Sequence, residues 1–138
     1  MSKELGDRLE DGPEQLLRQV HPAFIQSGRI SSQAFEAPKS HDGCLSVSRG
    51  SMTSPSAAYN LYTAHFGRQS SGVCAVTVEE ASTADLSAYS DPVAATSDKP
   101  ADPAHAVIDL SSFSKSQMKK KASKLASFAR NRGLLFAP

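Results

Sequence analysis

Four histidines, two cysteines, an adjacent pair of glutamates and several exposed-looking serines are the side chains of this sequence best able to do chemistry. His21, His41, His65 and His105 could act as general acids, general bases or metal ligands. None stands at His-x-x-x-His spacing from another, so a metal centre would have to be assembled wholly by the fold, and no metal or cofactor is implied. His21 precedes a proline and His105 opens an apolar run, so these two should be held most rigidly, although a single histidine so placed is more often structural than catalytic. Cys74 lies inside an apolar run and reads as inert core, whereas Cys44 follows a glycine at a strand start and is the better thiol candidate. Ser31, Ser32 and Ser46 are possible nucleophiles, but no Gly-x-Ser-x-Gly elbow surrounds them. Neither a Walker loop nor Gly-x-Gly-x-x-Gly occurs, so no glycine cradle for phosphates is indicated. Glu79 and Glu80 follow a strong strand signal, where a catalytic carboxylate could stand. Neighbours on a strand point to opposite faces, so only one of them could serve one site, and acidic residues also simply favour a helix start.

Charge is partitioned along the chain. Residues 1–109 carry all 14 carboxylates against 8 Lys/Arg, a formal −6, while residues 110–138 carry 7 Lys/Arg and no carboxylate, a formal +7. The basic segment projects as an amphipathic helix, with Met118, Ala122, Leu125 and Ala129 on one stripe and Ala126 at its border. Lys115, Lys119 and Arg130 flank one side of that stripe, Lys121 and Arg132 the other, and Lys120 and Lys124 cross the polar face. Such a face attracts phosphates or acidic protein surfaces. It can equally be a solvated face whose lysine stems cover the edges of the core.

The elements that must position these groups are legible in part. Leu16–Val20 is a strand or a helical turn stopped by His21-Pro22. Ile30–Phe35 reads as a strand of low hydrophobicity, and Cys44–Ser48 alternates as a strand should, with Leu45 and Val47 on one side. Ser54-Pro55 opens a helix through Leu61 and Tyr62 that Gly67 ends. Gly72–Val78 is the strongest strand signal, with a short helix or turn at Glu79–Ala81, and His105–Leu110 is another strand. The prolines at 92, 100 and 103 mark an irregular connection over 87–104. Ser114 and Gln117 have capping-box spacing for a helix to Arg132, stopped by Gly133, after which Leu134–Phe136 should fold back. Residues 1–13 read as a mobile leader and 14–138 as a single α+β domain with a small, mainly antiparallel sheet and two principal helices. No run of about 18 apolar residues exists to span a membrane, no apolar signal segment opens the chain, and two cysteines make no disulfide framework. The expected setting is cytoplasmic.

Arg18-Gln-Val-His-Pro22, Gly28-Arg-Ile-Ser-Ser-Gln-Ala-Phe35, Leu45-Ser-Val47 and Pro103-Ala-His-Ala-Val-Ile108 together resemble segments of a loose group of small bacterial proteins that has no established activity to transfer. The order of Arg18 or His21, Ser31 or Ser32, and Glu79 or Glu80 is also similar to that in compact ADP-ribosyltransferase-like folds, whose Ser-Thr-Ser and Glu-x-Glu patterns are absent here. That second resemblance implies an NAD- or nucleotide-handling enzyme. The charge partition instead implies a binding protein that engages an acidic protein or nucleic acid through Lys115–Arg132. A non-enzymatic immunity or accessory protein for a gene neighbour is the third expectation. The sequence alone leaves the choice between enzyme and binding protein open, leaning toward binding.

Overall fold

The computed structural model describes residues 6–37 and 42–138, so His41 lies outside the described residues. Five strands make the main sheet: β1 (Gln15–Gln19), β4 (Cys44–Arg49), β5 (Val73–Thr77), β6 (Ser87–Ser90) and β7 (His105–Asp109). Their order is β5-β1-β4-β7-β6, and every pairing is antiparallel. A separate two-residue hairpin pairs β2 (Ile25–Gln26) with β3 (Arg29–Ile30). With helices α1 (Pro55–Asn60), α2 (Val78–Thr83) and α3 (Lys115–Arg132), the fold is α+β.

Alternation along the strands gives the sheet two unlike faces. One face presents Leu16, Leu45, Val47, Cys74, Val76, Ala106 and Ile108, and α3 lays Ala122, Leu125, Ala126 and Ala129 on it, all four fully buried. Three of those helix residues are alanine, which lets the helix approach the sheet closely and leaves Leu125 as the main side chain to fill the interface. The helix forms where its caps require. Ser114 Oγ accepts from the Gln117 amide, the Gln117 side chain accepts from the Ser114 amide, and Gly133 ends the helix at φ +83°.

Three stretches differ from the sequence expectation. Ile30–Phe35 is not one strand: β3 stops at Ile30, and Ser32–Phe35 is a 3-10 helix. Ala34 and Phe35 are both fully buried in the core, and adjacent residues on a strand could not share a face, whereas a tight helical turn brings both inward. The connection over 87–104 begins with a true strand, β6, whose Ser-Ala-Tyr-Ser sequence has weak strand preference and is held by pairing with β7. Residues 6–9, read as part of a leader, lie along the outer edge of β6. The amides of Gly6 and Leu9 donate to Ser90 and Ala88, the Ser90 amide donates to Asp7, and Leu9 is buried. At the opposite edge Leu135 and Phe136 return to β5 through bonds with Val73. Among the described residues no helix is long and apolar enough to cross a membrane.

Candidate functional site

The second face of the sheet carries the site, and its geometry begins with an interrupted ladder. β1 pairs with β4 only at Leu16↔Arg49 and Leu17↔Ser48. Continued one pleat further, the register would set Gln19 opposite Ser46. Instead the strands part, and the side chain of Arg18 fills the fork: Nη1 donates to the Ser46 carbonyl at 2.9 Å and Nε to the Ala34 carbonyl at 2.8 Å. Both bonds go to neutral carbonyls. Among the described residues no carboxylate pairs with Arg18, and burial pulls its pKa below the usual guanidinium value. A guanidinium remains cationic at neutral pH even so. The residue keeps part of its surface exposed, and that surface lines a cavity of about 340 Å³.

A row of three polar side chains crosses the sheet beside this fork. In the β4–β7 ladder Ser48 stands directly opposite His105. The adjoining hydrogen-bonded pair is Arg49 and Ala104, so Ser48 and His105 form a non-hydrogen-bonded pair, whose side chains approach more closely than in the alternate kind, with Cα atoms ~4.5 Å apart. On the other side of His105 stands Asp91, one residue past the end of β6, whose amide donates to the His105 carbonyl. His105 Nδ1 lies 2.9 Å from the Asp91 carbonyl and 3.1 Å from its Oδ2. Two acceptors at one ring nitrogen place the proton on Nδ1 and leave Nε2 as the basic nitrogen.

Ser46, Ser48, Gln19 and His105 form the strand side of the cavity. Neither Ser46 nor Ser48 uses its hydroxyl on a partner among the described residues. The opposite wall comes from α1 and the turn after it. Ser54 Oγ caps α1 at the Ala57 amide, Pro55 occupies its first turn, and the helix then widens over Leu61–His65, where the Phe66 amide reaches back to the Leu61 carbonyl. Such widened turns recur at functional sites. Here it brings Leu61, Tyr62 and Phe66 to the cavity. The rim is completed by the segment 93–102, a narrow strap closed by reciprocal bonds between Val93 and Asp102 and by the Thr96–Lys99 turn. Arg68 lies 5.7 Å from the centre of the Tyr62 ring and Lys99 lies 5.6 Å from that of Phe66, so two exposed cations sit over aromatic rings at the entrance.

The cavity's charge is therefore mostly positive. Arg18, Arg68 and Lys99 line it, against one lining carboxylate, Asp102. Burial pushes the Asp102 carboxyl above its ordinary range, with His105 opposing, so ionisation of that lone acid is itself resisted. No group of three or more His, Cys, Asp or Glu side chains able to hold a metal ion occurs among the described residues.

The residues singled out in the sequence fall in several places. Arg18 reaches the cavity; His21, Ser31, Ser32, Glu79 and Glu80 do not line it. His21 caps the 3-10 helix Pro22–Phe24, accepting through Nδ1 from the Ala23 amide. Ser31 precedes the next 3-10 helix, with a buried hydroxyl that has no partner among the described residues, and Ser32 is the first residue of that helix. Glu80 forms a capping box with Thr77 and a two-pronged ion pair with Arg132 at 2.9 and 3.0 Å. Burial alone would raise the Glu80 pKa, but hydrogen bonds from Arg132 and Thr77 outweigh it and hold the carboxyl below its ordinary value. Glu79 occupies the first turn of α2. Cys74 is fully buried, and its thiol is pushed up to about 12 by burial, so it is protonated and inert at neutral pH. Cys44 is half-buried at the start of β4.

Of the seven cations of α3, four donate to backbone carbonyls of the fold, the exposed Lys124 among them. Lys121 donates to the Ala84 carbonyl, Lys124 to Thr83, Arg130 to Ile30, and Arg132 to Ala75 as well as Glu80. Lys115, Lys119 and Lys120 are exposed.

No family model matches this chain. No curated protein and no solved structure matches it either. The site therefore has to be interpreted from its own chemistry.

Proposed function

We propose that the chain binds a compact organic anion, a carboxylate or phosphate carried on an apolar or aromatic body, in the cavity floored by Arg18. The observation that carries this reading is the isolation of Arg18, a desolvated cation bonded, among the described residues, only to neutral carbonyls and lining a cavity. A buried charge without a counter-charge is unfavourable, and a ligand anion relieves it. The remaining lining suits such a ligand. Tyr62 and Phe66 offer aromatic surface, Arg68 and Lys99 attract negative charge at the entrance, and the Ser46 and Ser48 hydroxyls can hydrogen-bond to it. The volume lies at the small end of the ~300–1,000 Å³ typical of ligand sites. A nucleoside monophosphate fits this chemistry, as does an aryl carboxylate, so the nucleotide-handling expectation survives at a cavity that includes Arg18 rather than at Glu80.

Thermal unfolding against a panel of nucleoside monophosphates and aryl carboxylates tests the reading. A ligand present at about 100 times its Kd adds ~2.7 kcal/mol, a rise of several degrees in Tm. The gain should shrink in the double variant Arg68→Ala, Lys99→Ala, which leaves the core intact. Unchanged Tm across the panel at millimolar concentration would reject the proposal.

A second reading concerns α3. With Lys121, Lys124, Arg130 and Arg132 anchored to the fold, an acidic protein or nucleic-acid partner would meet Lys115, Lys119 and Lys120, which remain exposed. Changing those three to Glu should abolish any salt-sensitive binding of labelled nucleic acid while leaving stability within about 0.5 kcal/mol. Binding that persists in the triple variant would remove α3 as the contact surface.

A further inference from the structure

Asp91, His105 and Ser48 stand side by side on three neighbouring lines of one sheet face, and this juxtaposition has the order of an orienting acid, a base and a nucleophile. We propose that the cavity is an acyl-transfer centre, in which Ser48 is acylated by a compact carboxylic ester that bears a negatively charged group. The proposal rests on the anion-binding reading for its substrate class, since Arg18 would hold the charged group, but the chemistry rests on the row itself.

Three observations support it. The first is register: Ser48 and His105 are directly opposed in a non-hydrogen-bonded pair on the cavity face, the closest cross-strand arrangement available to two side chains. The second is the tautomer. Asp91 engages His105 Nδ1 with both its backbone carbonyl and its carboxylate, which leaves Nε2 as the nitrogen able to take a proton. The third is that the Ser48 hydroxyl lines the cavity with no partner of its own among the described residues, while Arg18 bonds to Ser46, one pleat repeat or ~7 Å along the same strand. A cation bound there can hold a substrate's charged group while an ester a few bonds away along the same compact molecule reaches Ser48.

The chemistry needs only water as co-reactant. Ser48 Oγ attacks the acyl carbon as its proton passes to His105 Nε2, and the carbonyl π pair moves to its oxygen. Return of that pair breaks the bond to the leaving alcohol oxygen, which takes the proton from Nε2. Water, deprotonated by the same nitrogen, then attacks the acyl carbon; the Ser48 ester bond breaks, and Ser48 recovers its proton as the carboxylate departs. Asp91 is a positioning residue in this scheme, acting through the imidazole.

The test uses a fluorophosphonate probe, followed by intact mass, with hydrolysis of the 4-nitrophenyl monoester of succinate against 4-nitrophenyl butyrate. The native chain should take up one adduct, lost in Ser48→Ala, and should prefer the anionic ester. His105→Ala should slow labelling by about 100-fold or more. Asp91→Asn should slow it less, lowering kcat of ester hydrolysis while leaving KM and anion binding unchanged, because Asp91 acts through the imidazole and does not line the cavity. A far-UV circular dichroism spectrum and a thermal midpoint like those of the native chain report that Ser48→Ala is folded. A native chain that binds the anion yet takes up no probe, or one labelled equally with and without Ser48, would overturn the acyl-transfer proposal and leave the anion site standing. Labelling of Ser48 with no anion binding would keep the acyl-transfer centre and remove its anionic specificity.

Discussion

On the helix-covered face of the sheet, Leu16, Leu45, Val76 and Ile108 meet Leu125 and its alanine neighbours, and Arg18 enters at the fork. On the other face, the same strands contribute Gln19, Ser46, Ser48 and His105, beside a small buried cluster of Leu17, Ala58, Val73 and Ala75. Each strand serves both faces by alternation, so one backbone supports a stability-bearing surface and a chemically equipped one. The contrast teaches where each kind of substitution should be felt: volume matters on the first face, and hydrogen bonds and charge matter on the second.

The largest expected effect would come from breaking the first face. Leu125→Ala should remove about 2–5 kcal/mol and lower Tm by roughly 10 °C, while Ser48→Ala on the opposite face should change stability by under about 1 kcal/mol. Equal losses by calorimetry would mean the two faces do not divide the work in this way. A smaller effect is expected where the sheet closes at the Gln15 end. There Glu14, nearly fully buried, accepts from Arg49 at 3.0 and 3.1 Å and from Ser51 at 2.5 Å. Burial opposes its ionisation, but these bonds prevail and hold its pKa below 4.5. Its contribution is thus complete above the unfolded value and is lost as pH falls through the lower folded one. Glu14→Gln should lower stability by about 1–3 kcal/mol at pH 7 and flatten the acid side of the urea-midpoint curve. The smallest effect belongs to Asp102, whose carboxyl has the opposite sign. Because burial raises its pKa above 3.8, the stability associated with the protonated form fades as pH rises from the unfolded value through the folded one. Asp102→Asn should keep or slightly raise Tm at pH 7 and tighten anion binding; weaker binding would mean that the carboxylate helps hold the ligand.

Much of the architecture was legible because it is written in local chemistry. Ser54-Pro55, the Ser114–Gln117 capping box and Gly133 mark helix ends, and the apolar run at Val73–Val76 marks a buried strand, all without reference to distant residues. β6 and the 3-10 helix at Ser32–Phe35 were not legible, since one exists through its pairing partner and the other through what Phe35 buries against. The site was less legible still. Arg18 and His105 stood out as residue types, but Ser48 looked like any other serine, and Asp91 lay in a stretch read as irregular. Only the ladder register aligns Asp91, His105 and Ser48, and register between strands more than 50 residues apart in sequence is not encoded near any one of them.

The outer strands of this sheet do not present bare edges. Residues 6–9 occupy the amides and carbonyls along β6, and on β5 the returning Leu135 and Phe136 take Val73 while Arg132 takes the Ala75 carbonyl. Edges covered in this way give another chain less of a template on which to add a strand, which protects against fibrillar association. Dislodging residues 6–9 would bare the backbone groups of β6 and lift Leu9 out of the core, and dislodging Leu135 and Phe136 would bare Val73 on β5, so each of these short segments both covers an edge and packs against a buried cluster.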